Sequence, residues 1–452
     1  MANGTANINR TFGTPTDNLK WTWSAWVKAS MAQEQGLFHG YVDGSNYAHI
    51  ELASTGQFKF YNHVSGGASG AIRTTRFLRD PFSWYHLVFV FDSAQSTDTN
   101  RMKMYINGLQ QTGSELTSVT YPTQSAASKI NGAWLHQVGM KLGGYGFAGE
   151  MSHIHFCDGQ AYAASDFGSF NATDGMWEIN TSPTVTYGNN GFFLKMEDSS
   201  NLDLDSSSNG ATFATTGTLT STKDNPSNNF CTLNPLYGKS DVTYAFTNGN
   251  NVLSTSGGSG WHQAMGTLAA SSGKWYYEAY ANYSPGAYNT QLGFASTDFL
   301  ALTKAAGAIG AGAYKPSFGL YDVGQLNYST DSATAQESGS WGSPWTSGDY
   351  LMFAVDLDNG RFYYGKNGTW DATSSSNPVA GTGGYSFTPG AYSYTPMMAL
   401  YYQDIITNFG NGYFTTTSAG ATNADDNGYG VFKYDVPAGF YAICTKNIND
   451  FG

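Results

Sequence analysis

The sequence has little charge, and acidic residues predominate in what there is. Only 12% of its 452 residues are charged, and 33 acidic residues against 21 basic ones give a formal net charge of −12. Lysines and arginines form no cluster along the chain. Nucleic-acid binding needs a basic surface that neutralises phosphates, and an anionic membrane surface attracts proteins in the same way. The composition therefore argues against both classes of partner.

Long apolar runs and cysteine motifs are also missing. No stretch approaches the ~20 apolar residues of a membrane-spanning helix, and the initial MANGTANINRTFG lacks the apolar core of a signal peptide. Cys157, Cys231 and Cys444 are too few for a disulfide framework and lack the CxxC spacing of zinc sites. We expect buried free thiols in a protein made in a reducing cytoplasm, with no signal peptide and no membrane insertion.

Aromatic and turn-forming residues are abundant instead. Phe, Trp and Tyr make up 15% of the chain, and 55 residues are glycine, which is typical of a turn-rich β protein. Residues 21–27, WTWSAWV, alternate as a half-buried strand does. Asn107-Gly108 and Asn367-Gly368 follow strand-like runs and suit tight hairpin turns. We predict an all-β chain of two antiparallel, jelly-roll-like β-sandwiches in tandem.

A polar stretch divides the chain into two halves. Residues 199–228 are rich in Ser, Thr, Asn and Asp and have little apolar periodicity. They suit either a linker or an ordered loop laid over a sheet. The predicted domains are therefore 1–198 and 229–452, with 199–228 between them.

Four segments of the first half, taken together in their order and spacing, resemble a laminin-G/pentraxin-type domain of the concanavalin A-like superfamily. They are WTWSAWVKAS, WYHLVFVFDS, RMKMYINGLQ and FAGEMSHIHFCDGQAYAASDFG. The second half is similar to a SPRY domain, also a two-sheet β-sandwich, over about 236–414 plus the tail. That likeness is carried by GKWYYEAYANY, LGFAS, DLDNGRFYYGKNG, YTPMMALY and ITNFGN.

The order of the two halves, with DNPSNNFCTLNPL at the junction and PAGFYAICTKN in the tail, resembles structural proteins of tailed bacteriophages, especially marine ones. That resemblance implies a virion protein present as a homo-oligomer or in many copies. Its expected partners are other virion proteins and a glycan or protein on the host cell surface.

Catalytic motifs are incomplete. The glucanases among concanavalin A-like folds need E-x-D-x-x-E on one strand, and Glu150 is the only acid of that pattern here. Asp356 could begin a calcium-binding loop of the EF-hand type, but the Glu that such a loop needs at its twelfth position is missing. His153 and His155 share one strand face without an evident third ligand. We expect no enzyme activity.

Aromatic residues among Gly and Ser are the predicted ligand-binding set, because such loops grip sugars and protein partners. The alternative is that the indoles close the end of a sandwich core. Laminin-G-like domains bind calcium at a sheet rim, and Asp43 and Asp92 lie at strand ends suited to it; we expect no other cofactor. The predicted ligand-binding residues are Trp261, Tyr321, Tyr328, Trp341 and Trp345.

The expected function is that of a non-enzymatic adhesin, a tail-fibre or surface-fibre component that attaches to a host. Two alternatives stay open at this point. One is a decoration protein that stabilises a capsid or tail. The other is an unusual glycan hydrolase.

Overall fold

The computed structural model describes residues 6–29, 34–237, 243–256, 261–282, 290–298, 316–330, 333–401, 403–412 and 423–452. Within these residues the chain is nearly all β, with 33 strands, three short 3₁₀ turns and one α-helix of seven residues, Thr445–Phe451. No helix in this described part is long and apolar enough to cross a membrane. The predicted all-β class is confirmed.

The chain forms two compact units, Met1–Ser221 and Thr222–Gly452. In the first unit the strands are β1 Asn7–Thr11, β2 Lys20–Ala29, β3 Gln35–Asp43, β4 Asn46–Leu52, β5 Gln57–Val64, β6 Gly67–Phe77, β7 Tyr85–Asp92, β8 Met102–Ile106, β9 Leu109–Gln111, β10 Leu116–Thr120, β11 Leu135–Val138, β12 Gly149–Asp158, β13 Gly168–Phe170, β14 Trp177–Ile179, β15 Phe192–Leu194 and β16 Ala214–Thr216.

Two antiparallel sheets enclose the first core. Sheet A has the order β10-β6-β5-β4-β3-β11-β1-β16, and sheet B has the order β15-β12-β2-β7-β8-β9. Trp21 of sheet B packs on Phe60 of sheet A, with 5.8 Å between ring centroids, and Phe60 stacks on Phe89 at 4.3 Å. The alternating apolar residues of WTWSAWV therefore fill the space between the sheets, as their period predicts.

The predicted Asn-Gly turn between β8 and β9 is confirmed. Asn107 and Gly108 have φ values of 47° and 78°, the left-handed pair that a type I′ turn requires. Any side chain at Gly108 would collide with the ring of Trp177. The turn therefore joins two strands and also lies against Trp177 of the hairpin β13–β14.

Residues after 198 continue the first unit. β16 pairs with β1 at the edge of sheet A, and Phe213 and Leu219 pack against the first core. The Asp205 carboxylate accepts hydrogen bonds from the backbone of Phe193 and Ala211. This part of the polar stretch is an ordered segment laid on the sandwich.

A buried carboxylate at the end of β12 joins three loops of the first unit. Asp158 accepts hydrogen bonds from the backbone of Thr16 at 2.7 Å, Asp17 at 3.3 Å and Asn190 at 3.1 Å, and from the Asn131 side chain at 2.6 Å. These four hydrogen-bond donors stabilise the carboxylate, whose burial would otherwise be unfavourable. The loops that begin and end the sandwich are thereby held to one strand end.

The second unit is also built from two main sheets. Its strands are β17 Thr243–Thr247, β18 Val252–Ser256, β19 His262–Met265, β20 Lys274–Ala281, β21 Thr290–Ser296, β22 Ser317–Tyr321, β23 Gln325–Thr330, β24 Ala333–Ser340, β25 Tyr350–Asp356, β26 Arg361–Lys366, β27 Thr369–Trp370, β28 Tyr385–Ser386, β29 Tyr394–Leu400, β30 Asp404–Asn408, β31 Asn423–Ala424, β32 Val431–Phe432 and β33 Tyr441–Ala442. Sheet C follows β17-β18-β30-β20-β25-β26-β27, with β28 and β33 paired at its side, and sheet D follows β19-β29-β21-β22-β23-β24.

The last residues of the chain cover the outer face of sheet C. Phe432 meets Tyr276 edge-on at 4.9 Å, and Phe440 packs on Tyr363. Beneath them the buried Glu278 carboxylate accepts the backbone N–H groups of Lys433 and Tyr434, both at 2.9 Å. Burial raises the pKa of Glu278 to about 7, although these hydrogen bonds act in the opposite direction.

Histidines are concentrated in the first unit, which holds seven of the eight. Burial lowers the pKa of six of them, because their surroundings disfavour the charged imidazolium. The pKa values are about 4 for His39 and His153, about 3 for His86 and His136, and well below the usual 6.5 for His49 and His155. All three cysteines are buried free thiols, as expected.

We expect Asp158→Asn to lower the free energy of unfolding of the first unit by about 3 kcal/mol, because the amide nitrogen would face backbone N–H donors. Asp43→Asn is the matched control. Asp43 is exposed in a turn, where an amide oxygen can still accept from Ser45, so a change below about 0.5 kcal/mol is expected. Urea unfolding measures both, and equal effects would contradict the role assigned to Asp158.

We expect acidification to act oppositely on the two units. Below pH 6.5 the histidines of the unfolded first unit bind protons, whereas the buried histidines of the folded unit stay neutral. The free energy of unfolding of this unit therefore falls toward pH 4. Folded Glu278 retains a proton that the unfolded chain releases above pH 4.5. Its contribution is therefore full below pH 4.5 and is lost as the pH rises to about 7, a change of about 3 kcal/mol.

Calorimetry from pH 4.5 to 7.5 tests the second part of this expectation with Glu278→Gln. This variant should remove the gain in stability that the second unit makes on acidification, whatever its absolute melting temperature. Asp158→Asn identifies the melting transition of the first unit. An unchanged pH slope in Glu278→Gln would show that this carboxyl does not titrate in the folded state as described.

Candidate functional site

The outer face of sheet A collects polar aromatic residues. On β4 the side chains of Ala48 and Ile50 enter the core, so His49 between them points outward. On β5 Phe58 and Phe60 enter the core in the same way. Strand alternation therefore places a group of imidazole and phenol rings on the surface side of this sheet. We call this group the His–Tyr face; it consists of His39, Tyr41, Tyr47, His49, Tyr61 and His63.

Strand register arranges these rings in two rows across the sheet. In one row His39 pairs with His49 and His49 with Tyr61; in the other Tyr41 pairs with Tyr47 and Tyr47 with His63. The rings are in near contact along the rows. Centroid distances are 6.4 Å for His39–His49, 5.6 Å for His49–Tyr61 and 4.8 Å for Tyr47–His63. The two rows thus form one continuous surface of ring edges and faces.

An ion network borders the first row. The buried Glu51 carboxylate accepts hydrogen bonds from Lys59 at 2.6 Å and Lys141 at 2.5 Å, and Lys141 also donates to Glu34 at 2.5 Å. Burial lowers the pKa of Lys141, but its bonds to the two carboxylates outweigh that effect and the pKa is raised overall. Two ammonium groups and two carboxylates therefore compensate one another at this border.

His39 and His49 lie at the bottom of the face, with 2% and 5% of their surface exposed. Burial is the main cause that lowers their pKa values; for His39, a side-chain hydrogen bond with Gln137 acts against burial and the charge of Lys141 adds to it. Both rings are therefore neutral at physiological pH, each with one donor and one acceptor nitrogen.

The ring nitrogens of His39 and His49 are closed to solvent, and the Gln137 side chain is hydrogen-bonded to the His39 ring. The nearest charge is Glu51, whose Oε2 lies 3.3 Å from His49 Nε2. Around these rings Tyr41, Tyr47 and Tyr61 are half-buried and present part of their rings at the surface.

Two of the five aromatic residues predicted from the sequence come together. Trp261 and Tyr321 meet edge-on with 5.7 Å between ring centroids, and Tyr401 lies 6.5 Å from Trp261. Trp261 is half-buried and packs against a small cluster that includes Met265 and Met397.

The other three predicted aromatic residues are placed against the second core. Tyr328 lies 5.0 Å from Tyr385, and Trp341 stacks on Phe362 at 6.0 Å. Trp345 has only 2% of its surface exposed and lies inside the core. The location of Trp345 corresponds to the alternative interpretation, in which an indole closes the end of the sandwich.

The two predicted calcium ligands lie on different sheets. Asp43 is exposed at the β3–β4 turn, where its carboxylate accepts from the backbone of Ser45 at 2.7 Å, and this bond is the main cause that lowers its pKa. Asp92 ends β7 in sheet B, is buried and accepts from Gln95 at 2.7 Å. In the described part of the chain, no three His, Cys, Asp or Glu side chains are grouped closely enough to hold a metal ion.

Glu150, weighed for catalysis, and His153 and His155, weighed as metal ligands, lie on β12, whereas Asp356 ends β25. His155 is buried, stacks on Phe193 at 3.9 Å and meets the Tyr187 hydroxyl at 3.0 Å. His153 occupies a β-bulge with φ of 48°, where its Nδ1 lies 2.8 Å from Ser152 Oγ. Both histidines have local partners on sheet B or its cover.

Sequence reasoning missed the His–Tyr face. Its signal is a run of alternating His and Tyr positions in LFHGYV, YAHIEL and FKFYNHV, which are the strands β3, β4 and β5. The alternation shows which residues share a strand face. Only the register among three strands shows that the imidazoles form adjoining rows.

Comparisons with known proteins return distant similarities. No curated protein matches the chain significantly. The SPRY domain of human HERC1 is similar at 14% identity, covering 39% of this chain and 96% of that one with a TM-score of 0.30. Mouse laminin alpha1 chain domains LG4-5 are similar at 9% identity, with 89% and 85% covered and a TM-score of 0.29. The native heptameric SAP-like pentraxin from Limulus polyphemus is similar at 15% identity, with 43% and 90% covered and a TM-score of 0.28.

A family comparison bears on the first unit alone. Residues 3–165 match the family model described as the concanavalin A-like lectin/glucanases superfamily. This match confirms the resemblance seen in the WTWSAWVKAS, WYHLVFVFDS and RMKMYINGLQ segments. The chain therefore contains a concanavalin A-like domain in its first unit and has SPRY domains among its structural neighbours.

Proposed function

We propose that this protein is a non-catalytic adhesin that recognises a saccharide on a cell surface through the His–Tyr face. One observation carries the proposal: the half-buried rings of Tyr47 and Tyr61 lie 6.2 Å apart on one sheet face, beside neutral imidazoles. Saccharide rings have apolar C–H faces and hydroxyl edges. Aromatic faces suit the first, and neutral donors and acceptors suit the second.

The rigid backing of sheet A supports this use. The rings project from β3, β4 and β5, which are central strands with paired neighbours on both sides. Tyrosine and histidine each have two side-chain torsions, so little conformational entropy is lost when they are covered by a ligand. A site on such strands is held in place more firmly than a site on loops.

Carboxylate chemistry on this face supports a non-catalytic role. Glycoside hydrolysis uses two carboxyl groups that flank the scissile bond, one of them as an acid. Glu51 is clamped between Lys59 and Lys141, and Glu34 is bound to Lys141 as well. Both carboxylates are therefore engaged by ammonium groups, an arrangement unlike a pair of carboxyl groups that flank a scissile bond.

The likeness to tailed-phage structural proteins suggests the setting. In that setting the protein would be carried in several copies on a virion, with other virion proteins as partners and the host surface as target. Several copies on one particle would then bind the host surface together, so the overall avidity would exceed the weak affinity of a single copy. A decoration protein would have a similar fold and setting and would differ in having no affinity for cells.

We expect the double variant Tyr47→Ala/Tyr61→Ala to bind cells at least about 10-fold more weakly than the unaltered protein, since two adjoining ring faces are lost. Labelled protein titrated onto candidate bacterial cells measures this. Phe170→Ala is the matched control, because Phe170 is exposed on the other side of the first unit and should leave binding unchanged.

Trp261→Ala separates the two surfaces. If it abolishes cell binding while the double variant binds normally, recognition lies on the second unit and the assignment to the His–Tyr face is wrong. If no cell is bound and particles that lack the protein lose stability, the decoration role replaces the proposed one.

A further inference from the structure

Two cations lie next to each other on the outer face of sheet A, beside the His–Tyr face. Phe60 on β5 and Ile72 on β6 enter the first core. Lys59 and Arg73, one residue away from them, therefore point outward, and both are half-buried. The two are direct partners between β5 and β6. Partners of this kind have Cβ atoms about 4.5–5.5 Å apart. We call Lys59 and Arg73 the cationic pair.

Carboxylates compensate only part of the positive charge here. The ion network that borders the first row of rings holds two ammonium groups and two carboxylates, so its formal charge is zero. Arg73 is a cation in addition to that network. Its guanidinium donates a hydrogen bond to the Ser118 hydroxyl at 3.3 Å, and no carboxylate in the described part of the chain pairs with it. The sheet therefore has an excess of one positive charge beside β5.

This arrangement favours an anion between the two side chains. Like charges directly opposite each other in a sheet are destabilising, and of the cationic pair only Lys59 is bound to a carboxylate. A bound anion would offset the repulsion. The planar guanidinium of Arg73 can donate two parallel hydrogen bonds to a carboxylate. An excess of one positive charge also matches a singly charged carboxylate better than a doubly charged phosphate monoester.

The cationic pair adjoins a tyrosine ring of the His–Tyr face. Lys59 and Tyr61 are two residues apart on β5, so they share one side of the sheet at a distance of about 7 Å along the strand. The Lys59 ammonium lies 5.5 Å from the centroid of the Tyr61 ring. Opposite Tyr61 on β6 is Ala71, whose short side chain leaves the ring and Arg73 unseparated. One sugar residue can therefore stack on Tyr61 while its acidic group reaches the cationic pair.

From these observations we propose that the His–Tyr face selects saccharides that carry a carboxylate, which Lys59 and Arg73 bind while the same sugar residue stacks on Tyr61. The inference rests on the proposed function and narrows it to one ligand class. Arg73 sets the specificity, because Lys59 is already shared with Glu51. A neutral saccharide keeps the stacking contact and lacks the contact with the guanidinium.

Calorimetric titration of the full-length protein tests the inference. Each acidic probe is compared with a neutral counterpart: oligogalacturonates with their methyl esters, and sialyllactose with lactose. We expect at least one carboxylated probe to bind at least about 10-fold more tightly than its counterpart, which is the gain expected from one charge-assisted pair of hydrogen bonds. Sulfated lactose is a further arm. If it binds and no carboxylated probe does, the acid is a sulfate ester and the assignment to a carboxylate is wrong.

Arg73→Gln is the diagnostic variant, because it removes the charge and keeps a polar side chain. Its affinity for the preferred acidic probe should fall about 10-fold, to that of the neutral counterpart, whose own affinity should not change. Since a like charge opposite Lys59 is removed, the unligated variant should unfold at or above the melting temperature of the unaltered protein. Lys103→Gln is the matched control. Lys103 lies on β8 of sheet B, so its loss of charge should change neither affinity.

Three further results would overturn the inference: carboxylated probes that bind no more tightly than their neutral counterparts, no binding of any acidic probe, or full acidic affinity in Arg73→Gln. The cell assay separates such a failure from a failure of the proposed function. If Tyr47→Ala/Tyr61→Ala loses cell binding while Arg73→Gln retains it, the adhesin stands and its ligand is not selected by an acidic group. If neither cells nor probes are bound, both proposals fail.

Discussion

The two-residue period of the strands in sheet A is the constraint on which both the fold and the candidate site depend. Ile50 and Phe60 must enter the core, so His49 and Tyr61, one residue away from each, must face outward. A shift of one residue in register would bury the polar rings and expose the core residues together. Packing of the first core therefore sets the alignment of the His–Tyr rows, although no core residue belongs to them.

The outer faces of the sheets differ in what covers them. Sheet B is covered by its own chain, since Phe167, Tyr187 and Phe193 pack with Val88 and Val90 on its outer side. Sheet C is covered by the residues around Phe432 and Phe440, which Glu278 holds through backbone N–H groups. Those covers are apolar, whereas the His–Tyr face consists of polar rings bordered by ion pairs. A face that is polar, aromatic and half-exposed suits contact with a hydrated ligand better than contact with a permanent cover.

Local patterns allowed the β class and several elements to be predicted, but not the site. WTWSAWV and the Asn107-Gly108 turn depend on neighbours within a few residues, which is why their structure follows from the sequence. The pairing of Gln137 with His39 joins residues 98 positions apart, and the bond from Thr16 to Asp158 joins residues 142 apart. Contacts of that range depend on how loops return to the sandwich. Trp345 shows the converse, since its Gly-, Ser- and Pro-rich surroundings indicate an exposed loop although its indole is buried.

The energetics of His39 and His49 bear most directly on function. A buried polar group without a hydrogen bond costs on the order of 1–3 kcal/mol, and an apolar residue of similar size would avoid that cost. Leu52 and Ile72 show that sheet A readily takes aliphatic side chains on its inner side. Stability alone would therefore favour apolar residues at positions 39 and 49 as well. Departures from the most stable choice are expected at functional sites. On the proposed function, the half-buried tyrosine rings meet the saccharide, and the two buried imidazoles support those rings from beneath.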